Sequence, residues 1–96
     1  MEYKYNFLLQ YAIMESKGIS RSYIRKQLSR DMGVIPATLR RWEKFELDDA
    51  DNSLPKSQIM YCCTYFNCSV NDFVNQPNAT PINVPNRVGN KYAQTV

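Results

Sequence analysis

Residues 20–45 hold two short stretches of helical periodicity separated by Gly33-Val34-Ile35-Pro36, and that interruption constrains the fold more than any other feature of the chain. Gly33 is the residue type that ends a helix in a left-handed conformation. Pro36 fits the first turn of the next helix, where its missing N–H is not needed and its φ is already helical. Before the break, Ser20 supplies an N-cap, and Ile24, Leu28 and Met32 recur at four-residue steps to form a narrow apolar stripe. After it, Ile35, Leu39 and Trp42 line one stripe at a period of ~3.6 residues, while Ala37, Arg40, Arg41 and Lys44 point away from it. Each helix therefore buries one face and offers a basic one.

The charge follows this division. Residues 17–44 carry eight cations, Lys17, Arg21, Arg25, Lys26, Arg30, Arg40, Arg41 and Lys44, against Asp31 and Glu43 alone. Residues 46–51 then hold Glu46, Asp48, Asp49 and Asp51 without a cation, so the formal net charge of +3 conceals a segregated chain.

Around this centre the rest of the chain also reads as helix. Tyr3, Phe7, Leu8, Tyr11 and Met14 recur at three and four, which predicts a first helix over residues 3–17, stopped by Gly18. Residues 46–53 lack apolar periodicity and read as a loop. Pro55 restarts a fourth helix with Ile59, Cys62, Cys63 and Phe66 inward, and Ser69 with Asp72 three residues on caps a brief fifth helix carrying Val70, Phe73 and Val74. The expectation is an all-α domain of five helices over residues 1–75. Pro77, Pro81 and Pro85 among asparagines then predict an extended or disordered tail over residues 76–96.

In its order of elements and in Leu28, Gly33, Leu39 and Glu43, the run from Leu28 to Glu43 resembles the helix-turn-helix of lambda-repressor-like, Cro-type (XRE) regulators. The resemblance continues through Leu54-Pro55 and the closing segment from Ile59 to Val74, covering about residues 3–75. It implies a five-helix DNA-binding domain and a transcriptional regulator, a repressor of phage, plasmid or mobile-element type. Carried over by position, base contacts fall on Pro36, Ala37 and Arg41, with Thr38 and Arg40 beside them. Arg41 is the strongest reader, because a guanidinium donates two parallel hydrogen bonds to guanine. Phosphate contact falls on Arg25, with Arg21, Lys26 and Lys44 nearby. Double-stranded DNA is then the partner, and a homodimer the expected form, since one recognition helix touches few base pairs. The fifth helix and the tail, with Phe73 and Val74, are the expected dimer surface.

The chain departs from the family pattern in three places. The interval from Gly18 to Leu28 is long, so the second helix starts about a turn early. The family's recognition-helix glutamate, here Glu43, often pairs with an arginine on the first helix; here Lys17 takes that place or Glu43 stays solvated. The loop after the recognition helix is acidic at Glu46, Asp48, Asp49 and Asp51, which is expected to bend away from DNA or to contact a partner.

Other functions fit less well. An antitoxin or adaptor would bind a protein partner through residues 46–51 or the tail. A MerR-like or excisionase-like winged helix is suggested by Thr38-Leu39-Arg40-Arg41-Trp42-Glu43, but it requires a β-hairpin after Phe45, where residues 55–66 read as helix. With no histidine and no Gly-rich phosphate loop, the sequence offers no catalytic site, and neither a metal nor a cofactor is expected. Adjacent Cys62 and Cys63 lack the two-residue gap of a zinc chelate and, with Cys68, read as small buried hydrophobes in a reduced, cytoplasmic protein. No apolar run approaches the ~18 residues of a membrane span.

Overall fold

A computed structural model describes residues 2–75. Five helices follow in order: α1 (Phe7–Glu15), α2 (Arg21–Met32), α3 (Pro36–Glu43), α4 (Lys56–Phe66) and α5 (Val70–Phe73). Among the described residues none of these helices is long and apolar enough to cross a membrane. The tail expected over residues 76–96 lies outside the described residues.

The helix ends obey the local chemistry. The Ser20 hydroxyl accepts the Tyr23 N–H at 3.2 Å and so opens α2. Gly33 closes it at φ +69°, with its N–H on Arg30 and the Val34 N–H on Ser29, so the orphaned carbonyls of the last turn are satisfied before the chain turns into α3. Ser69 caps α5 in the same manner, its hydroxyl accepting the Asp72 N–H at 3.1 Å.

Two expectations fail locally. Residues 3–6 are not helical, since Tyr3 forms an antiparallel bridge with Glu46 and Tyr5 with Val74. The Lys4 N–H donates to Phe45 and its carbonyl accepts from Asn75, while Asn6 donates to Phe73. Pairing on both sides thus outweighs the helical spacing of Tyr3 and Phe7. Ile35 is also no part of the α3 stripe. It is the N-cap, with extended backbone (φ −76°, ψ 155°), so the helical angle does not apply to it and its side chain is 66% exposed.

The core is aromatic at one end and aliphatic at the other. Phe7, Tyr5, Phe66 and Phe73 gather around α1, with Phe7 edge-on to Phe73 at 5.0 Å and Tyr5 stacked on Phe73 at 5.7 Å. Phe73 is fully buried there and Val74 is bridged to Tyr5, which corrects the expectation that these two form a dimer surface. Ile24, Leu28, Leu39 and Trp42 hold α2 against α3, and Cys62 and Cys63 are buried as free thiols. Burial pushes the Cys62 thiol up to about 12.

Lys4 also fixes the acidic loop. Its ammonium donates to the backbone carbonyls of Asp49 and Asn52 and lies 3.4 Å from the Ser53 hydroxyl. The Asp49 carboxylate accepts the Asp51 N–H at 3.0 Å and the Asn52 amide, whose hydrogen bond holds its carboxyl below the usual range. The loop is therefore tied to the N-terminal segment.

Candidate nucleic-acid interface

The candidate interface is built on α3 and the flanking part of α2. Leu39 is fully buried and Trp42 nearly so, and they set the roll of α3 about its axis. That roll leaves Pro36, Ala37, Arg40, Arg41 and Lys44 exposed and Thr38 half-buried. Successive helical positions diverge by ~100°, so the two arginines do not point the same way. Arg40 shares with Lys26 the rim of a hollow of about 200 Å³ between α2 and α3, floored by Leu39 and Pro36. Arg41 and Lys44 instead border an open hollow of about 640 Å³ whose far side is Glu46, Asp49 and Asn52.

Beneath the cations lies a feature that sequence reasoning missed. Glu43 is 1% exposed and, contrary to both expectations, neither pairs with Lys17 nor stays solvated. Its carboxylate takes a two-point ion pair from Arg25, with Nε at 3.0 Å and an Nη at 2.8 Å, and a hydrogen bond from the Tyr11 hydroxyl at 2.6 Å. One carboxylate on α3 thereby binds α1 through Tyr11 and α2 through Arg25. Both donors match their acceptor geometrically, and the planar guanidinium fork is what makes a buried carboxylate tolerable here. Burial, then the Glu43 hydrogen bond, pushes the Tyr11 hydroxyl well above its ordinary value. The Glu43 hydrogen bond raises Arg25, so the guanidinium keeps its charge.

The four cations expected on phosphate thus separate into two pairs. Arg25 is turned onto Glu43, and Arg21 onto Glu15 at 2.9 Å, both guanidinium carbons standing 5.4 Å from the centre of the Tyr11 ring. Lys26 and Lys44 are exposed and form no ion pair among the described residues. A signal for this was present in the sequence: Arg21 and Arg25 are one helical turn apart, and Arg25 lies on the edge of the Ile24-Leu28 stripe rather than opposite it.

Comparison with protein-family profiles, with characterised proteins and with solved structures finds no match.

Residues 46–55 contain turns and no paired strands, and Lys56–Phe66 is helical. No hairpin follows Phe45 within the described residues.

Proposed function

We propose that the protein is a sequence-specific double-stranded DNA-binding regulator of the Cro-type helix-turn-helix class, reading the major groove with α3. The observation that carries this reading is the exposure of Arg40, Arg41 and Lys44 on a short helix rolled into place by Leu39, Trp42 and the buried Glu43. Arg41 reads guanine through two hydrogen bonds, worth about 1–3 kcal/mol of discrimination against other bases. Ala37, one turn earlier on the same face, offers only a methyl to thymine. Lys26 and Lys44 neutralise phosphate on either side, and Arg40 stands between base and backbone. As one helix reads only a few base pairs, the operator is an inverted repeat bound by two copies.

Selection of bound sequences from a random duplex pool tests the proposal. A palindromic consensus containing guanine is expected, and Arg41→Ala should lower its preference over random DNA by roughly 10-fold or more. Lys44→Ala should instead weaken all sequences alike and reduce the slope of log affinity against log salt by about 1. Failure to enrich any motif, or binding indifferent to salt, overturns the reading.

A further inference from the structure

The geometry points to the outer face of α1 as a self-complementary surface that joins two copies of this chain in antiparallel fashion about a twofold axis. Leu9 and Ile13, one turn apart on α1, are 54% and 41% exposed. They line a hollow of about 370 Å³ between α1 and the α4–α5 junction, together with Phe66, Cys68, Lys17 and Asp72. An apolar pair of this size on the same helical face, with an aromatic floor beneath it, is a contact surface without its counterpart in the chain.

The placement of charge identifies the counterpart. Asp72 sits at the N-terminal end of α1, because Asn6, the residue before that helix, donates its backbone N–H to Phe73 and its side-chain amide to the Asp72 carbonyl at 2.7 Å. Lys17 lies two residues beyond the C-terminal end of α1. The nine residues of α1 span about 13 Å, so a carboxylate and an ammonium bracket the apolar pair at opposite ends of one groove. Neither makes an ion pair among the described residues. A twofold axis that runs past the outer face of α1, perpendicular to the helix and level with the midpoint between Leu9 and Ile13, sets Leu9 of one copy on Ile13 of the other. The same operation carries Lys17 of each copy to Asp72 of its mate, so both charge pairs form at once. An isologous interface requires this correspondence, in which each residue meets the one that meets it in return. A parallel arrangement would instead bring like charges together at both ends. The surface is separate from the cationic face of α3 and does not depend on the DNA reading.

Sedimentation velocity of the full chain without DNA, across a concentration series, tests the proposal. Ile13→Glu and Leu9→Glu should each weaken self-association by about 100-fold or more while leaving the helical circular dichroism and melting cooperativity intact, since both side chains already reach solvent in the single copy. Lys17→Asp and Asp72→Lys should each weaken it by about 10-fold, because each places two like-charge contacts in the dimer. The double variant Lys17→Asp/Asp72→Lys should restore it. A chain that remains monomeric at every concentration, including one whose groove is filled by residues 76–96, overturns the proposal. So does a dimer unaffected by the Leu9 and Ile13 substitutions, or one in which the double charge reversal fails to recover the loss. Since no DNA is present, these outcomes are independent of whether a motif is enriched in the selection above.

Discussion

Replacing Arg25 by methionine should damage this protein more than replacing Arg25 together with both of its polar neighbours. In Arg25→Met the Glu43 carboxylate stays 1% exposed, loses two of its three hydrogen bonds and keeps only the one from Tyr11. Removing one partner of a buried ion pair costs about 3–5 kcal/mol, because the remaining charge is stranded out of water. The lower end applies here, since Arg21 stands over the same Tyr11 ring and supplies part of the missing positive potential. A loss of about 3 kcal/mol is a large part of the roughly 4–11 kcal/mol expected for a domain of this size. It should lower the melting temperature by about 12–24 °C. The triple variant Tyr11→Phe/Arg25→Met/Glu43→Leu removes every polar atom of the cluster and keeps its volume approximately, so no group is left unsatisfied. Exchanges of this kind are neutral or stabilising in other proteins, and the triple variant should lie within about 1–2 kcal/mol of the native chain. Urea denaturation followed by circular dichroism reads both differences, with an unchanged slope showing that the unfolded state is not altered. If Arg25→Met proves as stable as the native chain, or the triple variant is less stable than the single, the account of Glu43 as a buried junction is refuted.

Three further expectations concern the frame around the interface. Gly33 is left-handed with open space where a Cβ would stand, so Gly33→Ala should cost only the conformational penalty of about 1–2 kcal/mol in chemical denaturation, without the larger loss of a steric clash. Tyr61 donates to Asp31, and this hydrogen bond, its largest cause, lowers the Asp31 carboxyl; burial first and then the same bond raise Tyr61 to about 12. The lowered carboxylate contributes stability above its unfolded value that is lost as pH falls through the folded one, and the raised phenol contributes below about 10 and is lost between about 10 and about 12. Melting temperatures of Tyr61→Phe across pH should therefore show both limbs flattened, and an unchanged profile would count against the pair. At pH 8 the native thiols should react slowly with an aromatic disulfide reagent, because burial raises Cys62 to about 12 and Cys68 to about 11, and all three should react promptly in denaturant.

The frame of α2, the Gly33 turn and α3 is readable from sequence because its determinants are local. Ser20, Gly33, Pro36 and Ser69 each act on backbone within a few residues of themselves, so their side-chain chemistry carries the boundary regardless of what packs nearby. Leu39 and Trp42 follow from the same periodicity, and so does the exposure of Arg40, Arg41 and Lys44. Determinants that act across the fold were not readable. Tyr3 and Phe7 fit a helical period, yet Tyr3 lies in a segment paired with residues some 40 and 70 positions away, and no window of sequence contains those partners. Glu43 matches a polar position of an exposed helix until Arg25 and Tyr11, 18 and 32 residues earlier, are brought onto it. Ile35 was assigned a helical direction one residue before the helix begins. Phe73 reads as an interface residue in sequence, because a four-residue helix carries no sign of the aromatic cluster it enters.

The extended segment ahead of α1 has a consequence for how the protein is made. Asn6 bonds Phe73, and Asn75 returns hydrogen bonds to Lys4 and, through its side-chain amide, to Tyr3. Residues 3–6 therefore cannot take their places until residues synthesised nearly seventy positions later have left the ribosome, a wait of roughly 4–14 s at ordinary rates of translation. Until then Tyr5 and Phe7 lack the Phe73 ring that covers them, and the nascent chain carries an open aromatic cleft. The helices between can form as they emerge, since their contacts are mostly local, but the domain closes only at its final seam.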